Sequence, residues 1–110
     1  MNRFKAHAKK GVIAVGDNHV RKQLAAQILE LCPDFEFITV VHPRATLGRD
    51  VTVGVGTVIL ANAVVNPFSK IGMHCLLNTG SVIEHDCVIE NFASLAPSAT
   101  IGGGSKLGEG

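Results

Sequence analysis

Aliphatic residues recur at every sixth position from Val41 to the end of the chain. A second series, four residues after each aliphatic position, holds small or β-branched residues. A helix would place apolar residues three and four positions apart, and hairpin strands would need turn residues about every eight to twelve residues. A fixed short period instead predicts a repeat architecture, the parallel β-helix built from hexapeptides. The aliphatic positions are Val41, Leu47, Val53, Ile59, Val65, Ile71, Leu77, Ile83, Ile89, Leu95, Ile101 and Leu107.

Each hexapeptide predicts a short strand followed by a corner. Because side chains alternate along a strand, Ser81 and Ile83 are expected to point inward and Val82 outward, before residues 84–86 turn the chain. Equivalent strands of successive coils then stack about 4.8 Å apart and form a continuous apolar core. We expect unusual backbone dihedral angles at corner residues, namely Gly48, Gly54, Gly72, Gly102, Gly108, Asn62, Asn66 and Asn78.

The sequence predicts a separate β-α-β unit for residues 1–40, followed by the β-helix of residues 41–110. The apolar run Gly11–Gly16 is expected to form a strand, Asp17 or Asn18 to cap a helix, and Phe35–Val41 to form a second strand. Pro33 ends the helix. Two strands and one helix cannot cover both faces of a sheet, so the unit is expected to be part of something larger. The expected inner face of the helix comprises Val20, Leu24, Ile28 and Leu31.

Composition narrows the function classes. A net charge of +1 with 17% charged residues does not favour binding to nucleic acid or to a membrane surface. The longest apolar runs are too short to cross a bilayer, and the N-terminal run does not fit a signal peptide. Cys75 and Cys87 lie at inward repeat positions, where a thiol behaves as a small apolar group. A reducing, cytoplasmic location is the simplest interpretation.

Three segments carry a resemblance to a known family: VIAVGDNHVRK (Val12–Lys22), HPRATLG (His42–Gly48) and NTGSVIEHDCVIENF (Asn78–Phe92). With these, the chain resembles bacterial sugar acetyltransferases of the sialic acid O-acetyltransferase and bacillosamine N-acetyltransferase type. The resemblance implies a left-handed β-helix with three strands per coil, preceded by a small domain that binds a nucleotide sugar. It also implies homotrimers that hold acetyl-CoA between adjacent β-helices.

The resemblance assigns catalysis to the corner that contains His85 and Asp86. It implies that His85 is the general base and that Asp86 raises its basicity. Histidine suits this role because its pKa lies near working pH, and a carboxylate on the ring fixes the tautomer. From spacing alone, the alternative is a solvated corner histidine between surface acids. The resemblance further implies acetyl-CoA contacts at Ser94 and Gly103, and substrate contacts at Gly16, Asp17, Asn18 and Asn78.

The chain also departs from the family pattern. Ser94 stands where relatives usually carry histidine, and Ala96-Pro97-Ser98 stands where they carry Ser-Pro-Gly. The glycine-rich turn of the first domain is missing, and the β-helix of the family continues for several more coils. We therefore expect a chain truncated at both ends.

These observations leave alternative functions open. The first hypothesis is acetyl-CoA-dependent acetylation of a nucleotide-linked or surface-polysaccharide sugar. The second is a non-catalytic fragment that acts as a structural or trimerisation module. A generic acyltransferase with a small acceptor such as serine fits poorly with the β-α-β unit.

No metal is expected. Residues stack on successive coils when they are a multiple of 18 positions apart, and the spacings between His42, His74 and His85 are 32 and 11. His74 is expected to be structural, and His42 is expected to shape the domain junction.

Overall fold

The computed structural model describes residues 10–110; the first nine residues of the predicted β-α-β unit lie outside this range. Strand β1 (Lys10–Gly11), helix α1 (Asn18–Leu31) and strand β2 (Glu36–Phe37) follow one another, and β1 pairs in parallel with β2. The strands are shorter than expected. Residues 12–16 are not in a strand, and the expected strand Phe35–Val41 is divided between β2 and a strand of the β-helix.

Helix α1 begins where the sequence predicts, but its inner face differs from the prediction. The Asp17 carboxylate accepts a hydrogen bond from the backbone N–H of Val20 at 2.9 Å and so caps the first turn. Val20 and Leu31 are 39% and 40% exposed, whereas Arg21 and Ala25 are buried. The expected inner face was therefore wrong at these positions, because α1 packs on a corner of the β-helix, where carbonyl groups accept hydrogen bonds from Arg21.

The β-helix consists of twelve two-residue strands that form three flat faces. Every strand pairs in parallel with the equivalent strand 18 residues away, as in the register Val64–Val82–Thr100. Face 1 contains β3 (Val40–Val41), β6 (Val58–Ile59), β9 (Leu76–Leu77) and β12 (Ser94–Leu95). Face 2 contains β4 (Thr46–Leu47), β7 (Val64–Val65), β10 (Val82–Ile83) and β13 (Thr100–Ile101). Face 3 contains β5 (Thr52–Val53), β8 (Lys70–Ile71), β11 (Val88–Ile89) and β14 (Lys106–Leu107).

The second residue of each strand points into the prism, as the period of six predicts. The middle coils are fully enclosed, with Ile59, Leu77 and Ile83 at most 1% exposed. In the first coil Val41 and Leu47 are 38% and 39% exposed, because only one neighbouring coil covers them. The aliphatic ladder therefore forms one continuous core, and its end residues are the least protected.

The unusual dihedral angles lie at the third corner residue, two positions after the glycines that were expected to need them. Asp86 has φ 56° and Asn62 has φ 61°, so the expectation was correct for Asn62 only. The first-position glycine Gly54 is required by space instead, since a Cβ there would lie 2.6 Å from the carbonyl carbon of Gly72. The side chains of Asn66 and Asn78 bind backbone carbonyl groups of the next coil. The positive-φ residues are Asp50, Gly56, Asn62, Phe68, His74, Gly80, Asp86, Phe92, Ser98, Gly104 and Gly110.

Helix α1 has 14 residues. Within residues 10–110, no helix combines the length and apolar character needed to cross a membrane.

Candidate active site

The corner between face 2 and face 3 carries His85 and Asp86 side by side. The Nδ1 atom of His85 lies 3.0 Å from Oδ2 of Asp86, and both side chains are more than 60% exposed. The backbone N–H of Asp86 donates to the carbonyl of Pro67 in the preceding coil at 3.0 Å. An exposed imidazole with a carboxylate partner is thus held on a backbone that is tied to the neighbouring coil.

The contact with Asp86 selects the tautomer of His85. A carboxylate oxygen accepts hydrogen bonds, so this contact favours the neutral tautomer with the proton on Nδ1 and the lone pair on Nε2. Nε2 faces Gly103, the residue 18 positions later in the next coil. A Cβ at Gly103 would lie 2.7 Å from Nε2. The glycine therefore provides the space in which the imidazole lies.

The second acid of the corner has a different partner. Oε2 of Glu84 accepts a hydrogen bond from Nδ2 of Asn66 at 3.3 Å, and the same amide nitrogen donates to the carbonyl of Ile83 at 3.1 Å. Of the two acids that flank His85, only Asp86 contacts its ring.

A second group of candidate residues lies where α1 meets face 1. The Ser94 hydroxyl donates to Oδ1 of Asn18 at 2.8 Å, and Nη2 of Arg21 donates to the same oxygen at 2.8 Å. Asp17 caps α1, and the carbonyl of Gly16 accepts a weaker hydrogen bond from Arg21 at 3.4 Å. The structure thus brings the residues proposed for substrate and for acetyl-CoA into contact at Asn18 and Ser94.

Asn78 lies apart from both groups, on the corner between face 1 and face 2. Its Nδ2 donates to the carbonyl of Leu95 at 2.7 Å. His85, Asp86 and Gly103 share the corner between faces 2 and 3, so the candidate residues occupy three different places around one prism.

Arg21 was missed by the sequence analysis, which did not include it in the expected inner face of the helix. Its side chain is fully buried, and burial lowers its pKa, although Cys75 and Asp17 act in the opposite direction. Nε donates to the carbonyl of His74 at 2.7 Å, and Nη2 donates to the carbonyl of Phe92 at 2.9 Å. The sequence held one signal that Arg21 matters, namely its position within the segment Val12–Lys22, which carries part of the family resemblance.

His74, which the sequence analysis expected to be structural, is buried. Its ring makes an edge contact with Phe37 at 4.5 Å between centroids and stacks on Phe92 at 5.0 Å. Burial lowers the pKa of His74, and the positive charge of Arg21 lowers it further. The neutral imidazole thus acts here as an aromatic packing group.

No group of three or more potential metal ligands occurs within the described part of the chain. A shallow depression of about 240 Å³ lies on face 3, and its lining includes Lys70, Val88 and Glu90 but none of the candidate site residues.

Comparison with known proteins identifies the architecture. No protein-family model matches the chain. Over 50 residues, it is 52% identical to UDP-N-acetylbacillosamine N-acetyltransferase of Bacillus subtilis strain 168, a match that covers 46% of this chain and 22% of that relative. A crystal structure of GDP-perosamine N-acetyltransferase from Caulobacter crescentus, a histidine-to-alanine variant bound to CoA and GDP-perosamine, matches 96% of this chain with TM-score 0.88 and 28% identity.

The resemblance to hexapeptide-repeat sugar N-acetyltransferases is confirmed. The acetyltransferase domain of PglB from Neisseria gonorrhoeae FA1090, solved also with acetyl coenzyme A, matches 86% of this chain with TM-score 0.80 and 30% identity. These sugar N-acetyltransferases are left-handed β-helices, which confirms the expected fold class. The chain spans 49% of the perosamine enzyme and 45% of the PglB domain.

Proposed function

We propose that this chain catalyses transfer of an acetyl group from acetyl-CoA to the amine of a nucleotide-linked sugar. The observation that carries the proposal is the 3.0 Å contact between His85 and Asp86, with Nε2 of His85 left open beside Gly103. A general base needs an available lone pair and a group that stabilises its protonated form. This corner supplies both.

The proposed reaction uses His85 as the proton carrier. Acetyl-CoA supplies an acyl thioester. Nε2 of His85 accepts a proton from the acceptor amine as the amine nitrogen bonds to the thioester carbonyl carbon, and Asp86 stabilises the resulting imidazolium. When the C–S bond breaks, the imidazolium returns the proton to the departing thiolate. The products are an amide and CoA with a free thiol, and His85 is neutral again.

An amine is favoured over a hydroxyl as acceptor by the relatives. The curated relative and the perosamine enzyme are both N-acetyltransferases, and the latter was crystallised with a nucleotide sugar and with one histidine replaced.

We also propose that the residues implied by the family resemblance bind the two substrates. The proposed nucleotide-sugar contacts are Gly16, Asp17, Asn18 and Asn78, and the proposed acetyl-CoA contacts are Ser94 and Gly103.

A homotrimer is part of the proposal. The candidate residues occupy different sides of one prism, so these sides can meet only across an interface between copies. Residues that are separate in one chain would then share one site. Light scattering of the purified chain tests this, and a monomer at micromolar concentration would contradict it.

We also propose a cytoplasmic location. Cys32, Cys75 and Cys87 are all buried and form no disulfide, as is typical of a reducing compartment. Fractionation of cells that produce the chain is the test, and its recovery outside the cytoplasm would contradict this assignment.

The direct test of the reaction is release of the CoA thiol. The purified chain is mixed with acetyl-CoA and with a UDP- or GDP-linked amino sugar, and the matched control replaces the amino group by a hydroxyl. We expect thiol release with the amino sugar and much less with the control. Release with neither compound would contradict the enzyme proposal and favour the non-catalytic trimerisation module.

A further inference from the structure

The hydroxyl of Ser69 joins both ends of the corner that carries His85. Ser69 Oγ donates to the carbonyl of Glu84 at 2.8 Å and accepts from the backbone N–H of Cys87 at 3.0 Å. Glu84 and Cys87 directly flank the pair His85–Asp86. Ser69 itself is fully buried at the inward position of the preceding coil. One buried hydroxyl thus fixes the backbone on either side of the two proposed catalytic residues.

The same bridge occurs at one other described corner. Thr57 Oγ1 donates to the carbonyl of Gly72 at 2.8 Å and accepts from the N–H of Cys75 at 3.0 Å, so it spans the corner that carries His74. Other inward positions of the same kind hold Ala63 and Ala93, which have no hydroxyl. A hydroxyl is therefore not needed to build a corner of this β-helix.

We propose that Ser69 is a positioning residue for His85. Asp86 is held at φ 56°, in the left-handed region that favours glycine and asparagine over most residues. The contact between the His85 ring and Asp86 depends on this backbone conformation. Two hydrogen bonds from one rigid, buried group restrain the corner at Glu84 and Cys87, and they thereby keep Nδ1 of His85 on the carboxylate and Nε2 beside Gly103. The expected effect of Ser69 on catalysis rests on the proposed acetyl transfer. The expected effect of Ser69 on the tautomer of His85 rests on the geometry alone.

The test compares three variants of the full chain. Ser69→Ala removes the bridge, Ser69→Thr keeps a hydroxyl of the type that Thr57 shows to fit, and Thr57→Val removes the equivalent bridge at the His74 corner. We expect Ser69→Ala to lower kcat about ten- to a hundredfold with a smaller effect on KM for acetyl-CoA, because misplaced reacting groups slow the chemical step. Ser69→Thr should restore kcat. Thr57→Val should lower Tm and leave kcat unchanged.

A second readout does not require activity. Imidazole ¹⁵N chemical shifts report which nitrogen of His85 carries the proton. In the wild-type chain and in Ser69→Thr we expect the Nδ1-protonated form, and in Ser69→Ala a mixture of both tautomers. An unchanged tautomer and an unchanged kcat in folded Ser69→Ala would overturn the inference. A wild-type chain without acetyl transfer, but with the tautomer change in Ser69→Ala, would contradict the proposed function and support the positioning role.

Discussion

His85 and His74 are both corner residues, but their surroundings give them different chemistry. The His85 ring is exposed and has a carboxylate partner, whereas the His74 ring is buried between Phe37 and Phe92. Sequence spacing alone did not separate the two residues. The family-like segment Asn78–Phe92 and the acid that follows His85 did, because a neighbouring carboxylate can hold an imidazole in one orientation and one tautomer.

Gly103 is predicted to matter through the space that it leaves. A Cβ at this position would approach Nε2 of His85 to 2.7 Å, but the exposed ring can swing away at small cost in stability. Gly103→Ala should therefore lower kcat about tenfold or more by moving Nε2, because misplaced reacting groups slow the chemical step. Steady-state kinetics and thermal unfolding check this prediction. The control is Gly108→Ala, because a Cβ at Gly108 meets no atom within 4 Å, and we expect it to change neither kcat nor Tm. Gly104 is unsuitable as a control because alanine would be strained at its positive φ.

Helix α1 is attached to the β-helix mainly through Arg21. Its guanidinium is buried and donates to carbonyl groups of two successive coils, those of His74 and Phe92. Hydrogen bonds from a charged donor are stronger than neutral ones, and buried carbonyls without a partner are costly. The contact of α1 with the β-helix at Arg21 is therefore polar, although the sequence predicted that the inner face of α1 would consist of aliphatic residues.

Replacing Arg21 by methionine should release α1. We expect the free energy of unfolding to fall by about 3 kcal/mol, since the carbonyls of His74 and Phe92 would lose their donor in a buried setting. Denaturant unfolding and amide hydrogen exchange along α1 measure the effect. The matched control is Lys22→Met, an adjacent and exposed residue whose ion pair with Glu109 is at the surface. Equal stability of the two variants would contradict this role of Arg21.

His74 makes the contact between α1 and the coils sensitive to acid. Burial and the nearby Arg21 lower its pKa, so in the unfolded chain the residue takes up a proton at a higher pH than in the folded chain. Stability from the neutral ring is present above about pH 6.5 and is lost as the pH falls below that value. Tm measured from pH 8 to pH 5 should show this loss in the wild-type chain.

The variant His74→Asn is the control for this pH dependence, because asparagine tolerates the positive φ of this position and does not titrate. The variant should be less stable at pH 8 and should lack the part of the Tm decrease that His74 causes. An identical decrease in both proteins would assign the effect to other groups.

The β-helix followed from the sequence because its period of six has one physical solution, a prism in which every coil repeats the same inward positions. The pairing of Val82 with Val64 and Thr100 was thus predictable. The docking of Arg21 was not, because its partners are backbone carbonyls, which leave no trace in residue type. The position of the positive φ angles also escaped prediction, since glycine at the first corner residue reflects close approach between coils, as at Gly54.

The whole prism presents its candidate residues at three places, two of them corners and one on face 1. His85, Asp86 and Gly103 share one corner, Asn18 and Ser94 meet where α1 docks on face 1, and Asn78 lies on a third corner. In the proposed homotrimer, different parts of neighbouring prisms would lie side by side, and one site would draw its residues from more than one copy.

We propose that His85 removes the proton from the acceptor amine. The rate of acetylated nucleotide-sugar formation, followed by mass spectrometry, is to be compared in the wild-type chain, His85→Asn and His42→Asn. His42 is an exposed histidine on a different corner from His85, and its ring accepts a hydrogen bond from the backbone N–H of Arg44. We predict that His85→Asn lowers kcat about 10²- to 10⁴-fold and that His42→Asn retains the wild-type rate. A His85→Asn rate equal to that of the wild type would show that His85 is not the general base.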